Sequence, residues 1–212
     1  MNAITDQHIA TFRQGLVPFV IFTDEEWAIF SEHLYLRKLK KRDLFISSGQ
    51  VCHEIAFIVS GSFRFYFVKD GAEISNYFCF EQELISSYVS FLRQEPSPIN
   101  IEALEEAELV CFSHAAQQQL LQNPTINFKM ERFGRKVAEY LIGCYEDRIF
   151  SFVTQTPEER YRQLLQKQPA FLQRIPQHYL ANFLGITPVS LSRIRKRMQQ
   201  AAVVKKEVAL VS

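Results

Sequence analysis

The chain has 212 residues, of which 47% are hydrophobic and 13% aromatic, enough apolar material for one or two packed domains. No apolar run approaches the roughly 18 residues of a transmembrane helix, and the first residues lack the basic and apolar regions of a signal peptide, so we expect a cytoplasmic protein with no membrane partner. The net charge of +1 is unevenly divided. Residues 1–120 carry 9 Lys/Arg and 16 Asp/Glu (net −7), and residues 121–212 carry 15 and 7 (net +8), so the second half suits a nucleic acid.

The cysteines and histidines do not form a metal-ligand pattern. Cys52, Cys79, Cys111 and Cys144 are widely spaced, so we interpret them as reduced, mostly buried thiols. The five histidines are scattered in the same way. We therefore predict no metal, no cofactor and no catalytic residue.

The first 122 residues are predicted to form a sensor domain. Two helices open the chain, and the second begins at a capping box in which Thr23 and Glu26 satisfy each other's free N–H groups. From Leu44 to Phe112, short apolar or alternating runs are separated by glycine and polar turns, which predicts a closed sandwich or roll of short strands. Asp70-Gly71 is typical of a tight hairpin turn inside it.

Residues 123–152 are predicted to form a long dimerisation helix and hinge. After the break at Asn123-Pro124, apolar residues recur in alternating steps of four and three. That spacing is typical of a coiled-coil seam between two copies of the chain, although an amphipathic helix in a monomer has the same pattern over a shorter span. The predicted dimer interface comprises Ile126, Met130, Phe133, Val137, Tyr140 and Cys144.

Residues 153–212 are predicted to form a winged helix-turn-helix domain. In the segment 177–196, Leu180 and Leu184 give the first helix its apolar face, and Ala181 is small enough for a second helix to cross over it. Gly185 suits a left-handed turn, and Leu191 and Ile194 pack the second helix onto the first. The alternative is an ordinary amphipathic helical hairpin. The final VV-KKE-VALV stretch predicts two short wing strands or, alternatively, a frayed tail.

The second helix of this pair presents a cationic face. We expect Arg193 to contact a guanine edge, Val189 a thymine methyl, and Lys196 and Arg197 the phosphates of double-stranded DNA. For each charged residue the alternative is a solvated surface side chain. The predicted DNA-binding set is Gln177, His178, Thr187, Pro188, Val189, Ser190, Arg193, Lys196 and Arg197.

The order of these parts resembles the Crp/Fnr superfamily of transcription regulators. The segment FIVSGSFRFYFVKDGAEISNYF, with Gly61 and the Gly71-x-Glu73 turn, is similar to that family's hairpin, and INIEALEEAEL to a following strand. The RY-x-x-LL-x-x-x-P segment from Arg160 to Pro169, followed by LGITPVSLSRIRK, resembles a Bacteroidetes-type subgroup. The resemblance implies an α+β fold with an N-terminal cyclic-nucleotide-binding-like roll, a long dimer helix and a C-terminal winged helix-turn-helix.

The phosphate cassette departs from the family pattern. Relatives that bind cyclic nucleotides use a glycine-glutamate pair and then an arginine followed by serine or threonine. Here Gln82-Glu83 stands where the first pair is expected and Ser97-Pro98 where the second is, so cyclic AMP is disfavoured as the ligand. The predicted effector pocket holds either another small molecule or its own side chains; its residues are Glu83, Ser86, Ser87, Tyr88 and Ser97.

Three functions compete at this point. The first is a homodimeric regulator that binds a pseudo-palindromic operator and senses an unknown small-molecule effector through its β-roll. The second is an effector-independent DNA-binding regulator, with RNA polymerase as a further candidate partner of either. The third is a cupin-type metalloenzyme, for which the chain offers His53-Glu54 and His114 but lacks the paired histidine.

Overall fold

The structure is a computed structural model that describes residues 3–167 and 172–211, with side chains for 3–166 and 172–200. The chain divides into two compact units, Met1–Asp147 and Arg148–Ser212. The predicted helix end at Pro169 lies outside the described residues. Among the helices that are described, none combines the length and apolarity needed to cross a membrane.

Two capped helices open the first unit, α1 (Asp6–Leu16) and α2 (Asp24–Ser31). The predicted capping box is confirmed: Thr23 N–H donates to Glu26 Oε2 at 2.7 Å, and Glu26 N–H donates to Thr23 Oγ1 at 3.2 Å. These helices bury Phe12 and Phe30, whose rings lie edge to face with centroids 5.8 Å apart.

Eight strands form two antiparallel four-stranded sheets, which confirms the predicted β-roll. The strands are β1 (Tyr35–Leu39), β2 (Leu44–Ile46), β3 (Glu54–Ser60), β4 (Phe63–Lys69), β5 (Ala72–Cys79), β6 (Leu84–Ile85), β7 (Asn100–Ala103) and β8 (Ala107–Ser113). Their order is β1-β8-β3-β6 in one sheet and β2-β7-β4-β5 in the other. The predicted hairpin joins β4 to β5, with Asp70 and Gly71 at φ values of 52° and 76°, as a tight hairpin turn requires.

The alternation along β4 separates a core face from a polar face. Phe63 and Phe65 are buried in the core of the roll, whereas the alternate residue Arg64 is buried on the other face. The Arg64 guanidinium donates to Glu73 at 2.7 Å and to Glu102 at 2.8 Å. A buried cation with two carboxylate partners satisfies the rule that buried charges are paired.

Helix α3 (Tyr88–Arg93) lies between β6 and β7, and α4 (His114–Gln122) follows β8. Helix α5 (Asn127–Thr154) is the predicted long helix. The second unit contains the last turns of α5, then α6 (Pro157–Lys167), α7 (Gln177–Phe183) and α8 (Pro188–Val211). Thr156 begins α6 as predicted: its N–H donates to Glu159 Oε2 at 2.8 Å, and Glu159 N–H donates to Thr156 Oγ1 at 3.3 Å.

The predicted dimer seam on α5 is wrong for its first four residues. Ile126, Met130, Phe133 and Val137 are at most 6% exposed and belong to the hydrophobic core of their own unit. Phe133 contacts Phe112 of β8, with ring centroids 6.4 Å apart. The apolar repeat therefore packs the helix on its own roll, because a helix that covers a sheet needs the same spacing as a helix that pairs with a second copy.

The predicted wing is also wrong. The backbone is helical from Pro188 to Val211, so α8 continues through the stretch expected to form two short strands. That stretch contains no glycine, proline or asparagine to make a turn, and its lysine, glutamate, alanine and leucine residues favour a helix.

Candidate nucleic-acid interface and sensor region

Helices α7 and α8 meet at a tight turn built as the sequence predicts. Gly185 has φ +72°, in the left-handed region that glycine adopts without penalty. Ile186 N–H donates to Ala181 O at 3.0 Å across the turn. Thr187 then caps α8 by accepting the Ser190 N–H at 3.2 Å on Oγ1. The predicted inner residues are all buried, namely Leu180, Ala181, Leu184, Leu191 and Ile194.

The opposite face of α8 is exposed near its N-terminus. Val189 is 61% exposed, and Arg193 and Lys196 are also exposed. Ser190 is half-buried, with its hydroxyl 3.0 Å from Thr187 Oγ1. Four further residues of the predicted set are on the surface or half-buried at the adjoining helix starts: Gln177, His178, Thr187 and Pro188. The chemistry of this face is one apolar contact beside cationic and hydroxyl donors, as direct base recognition requires.

Arg197 has an intramolecular partner that the sequence analysis missed. Its Nη2 donates to Glu158 of α6 at 2.7 Å, and the same carboxylate accepts from Arg162 at 3.2 Å. Arg197 must therefore exchange this ion pair before it can bind a phosphate. No local pattern indicates the contact, because Glu158 and Arg197 are 39 positions apart.

Arg195 packs against α6 and is not one of the predicted DNA-binding residues. Its Nε donates to the Tyr161 hydroxyl at 2.9 Å, and its guanidinium lies 5.5 Å from the centre of the Tyr161 ring. The basic run of α8 therefore divides into two groups: Arg195 and Arg197 contact α6, whereas Arg193 and Lys196 are exposed.

In the sensor region, Ser87 and Ser97 lie before and after α3 in the sequence, and their hydroxyl groups form a hydrogen bond. The Ser97 hydroxyl lies 2.9 Å from Ser87 Oγ and 2.8 Å from Ile99 O. The two residues are only 4% and 2% exposed. The hydroxyls satisfy each other's hydrogen-bonding needs, so this pair is stable without a ligand.

Glu83, predicted to line the effector pocket, has a hydrogen-bond partner within its own turn. Its carboxylate accepts from Phe80 N–H at 2.7 Å, inside the turn that leads into β6. Burial raises the pKa of this carboxyl above its ordinary value, and the Phe80 hydrogen bond opposes that shift. The residue that precedes α3 and hydrogen-bonds to Ser97 is Ser87, whereas Glu83 lies four positions earlier in the chain.

The remaining predicted pocket residues also have internal partners. Ser86 Oγ donates to Glu54 O at 2.9 Å, and the Tyr88 hydroxyl donates to Gly134 O on α5 at 3.0 Å. Burial raises the pKa of Tyr88. Phe57, Phe65 and Phe91 are buried in the hydrophobic core of the same unit.

A polar cluster between β5 and α5 was missed. The Tyr77 hydroxyl donates to Cys144 Sγ at 3.7 Å, and Tyr140 lies one turn before Cys144 on the same helix. Burial raises the pKa of Tyr77 and Tyr140, so both phenols are neutral at physiological pH. Cys144 is half-buried and Tyr140 is 48% exposed, so for these two residues the dimer contact stays a prediction.

His53 and Glu54, which the metalloenzyme alternative would use as metal ligands, have other partners. His53 Nδ1 lies 2.8 Å from Gln94 Oε1, and Glu54 accepts from Arg37 at 2.7 Å. Within the part of the chain that the structure describes, no three His, Cys, Asp or Glu side chains come together as a metal site.

Comparison with known proteins adds a domain assignment and a fold. Residues 36–124 match the family model of the cyclic nucleotide-binding domain. No curated protein matches the sequence. Among solved structures, the c-di-GMP responsive global regulator CLP of Xanthomonas campestris is 18% identical, with a TM-score of 0.65, and the match covers 85% of this chain and 93% of CLP.

Two further structures give the same result. FixK2 of Bradyrhizobium japonicum is 15% identical with a TM-score of 0.69, covering 80% of this chain and 86% of FixK2. The catabolite activator protein of Thermus thermophilus is 16% identical with a TM-score of 0.52, covering 86% of each chain. At these identities the matches establish that the chain has the fold of Crp/Fnr-type regulators. The Bacteroidetes-type subgroup stays a prediction.

Proposed function

We propose that this chain is a homodimeric, sequence-specific DNA-binding transcription regulator in which α7 and α8 form a helix-turn-helix. The observation that carries the proposal is the division of α8 into a buried face, with Leu191 and Ile194 packed inward, and an exposed face with Val189, Arg193 and Lys196. A recognition helix needs this division, because its N-terminal outer face enters the major groove.

In this proposal, Arg193 reads a guanine and Lys196 holds a phosphate. Arg193 lies one turn after Val189, where a forked guanidinium can donate two hydrogen bonds to a guanine edge. Lys196 lies further along the helix, where side chains reach the backbone of the duplex. Arg197 joins the phosphate contacts after it leaves Glu158. The cap residues Thr187 and Ser190 lie at the start of the helix, close to the groove.

Dimerisation is assigned to a different face of α5 from the one predicted. Ile142 and Tyr145 are 58% and 57% exposed, although large apolar side chains usually avoid water. In the sequence they are three apart, and the next exposed apolar residue, Ile149, follows four later. These steps fit a helix that pairs with its counterpart in a second copy. A two-fold dimer presents two recognition helices to two half-sites, hence a pseudo-palindromic operator.

The sensor role has two versions. The cyclic nucleotide-binding-type domain favours a small-molecule effector, and CLP, which has a similar fold, is a c-di-GMP responsive regulator. The paired hydroxyls of Ser87 and Ser97 and the aromatic interior favour the second version, a regulator that binds DNA without an effector. RNA polymerase is a further proposed partner of either version.

The test compares Arg193→Ala with Lys196→Ala on DNA selected by the wild-type protein from a random-sequence duplex pool. Arg193→Ala is expected to relax the preference at one base pair of each half-site, with a discrimination loss of about 5- to 150-fold, which corresponds to about 1–3 kcal/mol. Lys196→Ala is expected to weaken binding to all sequences alike. Repeating the selection with each variant gives the preference at every position.

Arg135→Ala is the matched control, because Arg135 is an exposed arginine paired with Glu139 on α5 and belongs to the first unit, whereas α7 and α8 belong to the second. It is expected to leave both affinity and base preference unchanged. If the wild-type protein selects no common sequence, the proposed function is wrong. If the two α8 variants change the base preferences in the same way, the roles of Arg193 and Lys196 are wrong.

A further inference from the structure

Two arginines of the second unit lie close together without a carboxylate partner. Arg148 is in the last turns of α5 and Arg160 is in α6, and neither occurs in an ion pair among the described residues. Arg160 is only 8% exposed. Burial, with a smaller contribution from the charge of Arg160, lowers the pKa of Arg148 to about 10, so both side chains are cations at neutral pH.

Backbone carbonyls take the place of the missing carboxylates. Arg160 donates to Gln155 O at 2.6 Å and to Leu184 O at 2.8 Å, and Arg148 donates to Phe183 O at 2.6 Å. These acceptors lie at the C-terminal ends of α5 and α7. The last carbonyls of a helix have no partner within it and form the negative end of its dipole, so they suit a buried cation.

Two aromatic rings complete the arrangement. The Arg148 guanidinium lies 3.6 Å from the centre of the Phe183 ring and 4.2 Å from that of Phe152, and the Arg160 guanidinium lies 4.5 Å from that of Phe152. A cation over a ring face is attracted by the ring's electrons, most strongly where water is excluded. Phe152 also leaves little room at the turn, since a Cβ on Gly185 would be 3.2 Å from its ring.

We infer that Arg148, Arg160, Phe152 and Phe183 form an arginine clasp that positions the helix-turn-helix against the end of α5. The inference rests on the proposed function, because the clasp serves to aim the recognition helix. Arg160 connects the two elements directly, with one guanidinium nitrogen on the end of α5 and the other on the end of α7. A planar fork with directed hydrogen bonds fixes the angle between two helices as well as their distance.

The placement of two like charges together supports a positioning role over simple packing. Arg160 is buried and Arg148 is half-buried, and adjacent cations that are partly shielded from water repel each other, whereas apolar side chains would fill the same volume without that cost. Directional donors are the property that apolar side chains lack. Arg148 and Arg160 are therefore positioning residues, not DNA ligands.

The first experiment needs no DNA. Hydrogen exchange is measured on the full chain with Arg148→Gln, Arg160→Gln and the matched control Arg162→Gln, which removes an exposed arginine two positions from Arg160. The two clasp variants are expected to speed exchange at least 10-fold over residues 151–156 and 183–187, with the fluorescence of Trp27 in the first unit unchanged. The control is expected to match the wild-type protein. Unchanged exchange in both clasp variants overturns the inference, whether or not the protein binds DNA.

The second experiment uses two duplexes, one with both half-sites of the sequence selected by the wild-type protein and one with a single half-site. Misaimed recognition helices fail when both half-sites must be engaged at once, so the clasp variants are expected to lose at least 10-fold on the two-site duplex and less than 3-fold on the single site. Arg160→Lys, which keeps the charge but not the fork, is expected to behave like Arg160→Gln.

The outcomes separate the two proposals. An equal loss on both duplexes means that the arginines only stabilise the fold and overturns the positioning role. Full rescue by lysine overturns the argument from the forked geometry. If the wild-type protein binds no duplex, the proposed function fails, and the exchange measurement alone decides whether the clasp fixes the two helix ends.

Discussion

Gly61 is a position in the β-roll where both the backbone conformation and the neighbouring atoms require glycine. Its φ is +103°, and a Cβ there would lie 2.6 Å from the Cβ of Ala107 and 2.9 Å from its Cα. Its N–H donates to Glu81 Oε1 at 2.9 Å. Gly49 also has a positive φ, +88°, but a Cβ there would meet nothing within 4 Å. Both glycines have a left-handed backbone, but only Gly61 has neighbouring atoms that would clash with a Cβ. Comparing the two positions therefore distinguishes the cost of backbone strain from the cost of steric overlap.

Gly61→Ala is expected to destabilise the roll far more than Gly49→Ala. The second substitution costs about 1 kcal/mol for the left-handed backbone alone, whereas the first adds a clash with the backbone of β8 and is expected to cost 3 kcal/mol or more, by the order of magnitude of such strain. Trp27, the single tryptophan, is in the first unit and reports its unfolding in urea by fluorescence. Similar losses for the two variants would show that the contact with Ala107 relaxes without cost.

At the scale of single elements, α5 illustrates what an apolar repeat leaves open. One of its faces is buried in the first unit through Phe133 and Val137, and another exposes Ile142 and Tyr145. Both faces have steps of three and four. The apolar repeat indicates that a helix face is buried, but it does not indicate whether the partner is in the same chain or in a second copy. Burial of apolar surface has the same physical basis in both cases.

Substitution on the two faces is expected to give opposite results. Ile142→Asp and Tyr145→Asp place a charge on the proposed dimer face, and we expect the dimer to weaken at least 100-fold while Trp27 fluorescence stays native, because burying an unpaired carboxylate is costly. Val137→Asp is expected to unfold the roll instead. Sedimentation velocity measures the oligomer, with the exposed Glu146→Gln as the control. A dimer that survives both aspartates would place the interface elsewhere.

Local signals in the sequence predicted local structure well. The capping boxes at Thr23 and Thr156 and the buried set from Leu180 to Ile194 are confirmed, because each depends on residues within one or two turns. The seam on α5 failed because it depends on a distant partner, since the sequence does not show that Phe133 packs on β8. The wing failed against a local signal, because its lysine, glutamate, alanine and leucine residues favour a helix. The contacts of Arg160 with two helix ends have no sequence signal, since backbone carbonyls carry no residue identity.

At the scale of the whole molecule, the charge is divided between the halves of the chain. Residues 1–120 have a net charge of −7 and residues 121–212 of +8. Interaction with a polyanion is therefore expected from the second half only. Counterions released from DNA make such binding depend on salt, and each phosphate contact adds about −0.9 to the slope of log K against log salt.

DNA affinity is expected to fall at least 100-fold between 50 and 200 mM salt, which corresponds to a slope of about −3 to −4 or steeper. Lys196→Ala is expected to make the slope shallower by about one for each subunit, because it removes one phosphate contact. Glu106→Gln in the acidic half is the control and is expected to leave the slope unchanged. Fluorescence anisotropy with the selected duplex gives the affinities. A slope near zero would exclude phosphate contacts as the source of binding.

In the effector-independent version of the proposed function, the closed hydrogen-bond pair of Ser87 and Ser97 has a consequence for control of transcription by a dimeric regulator. A metabolite that bound between these hydroxyl groups would have to break their hydrogen bond. Its contacts with the protein must therefore contribute more free energy than this bond before it binds. Synthesis and turnover of the polypeptide then become the effective signal. When most subunits are single, a two-fold rise in their number gives about a four-fold rise in paired molecules by mass action, and promoter occupancy responds in proportion.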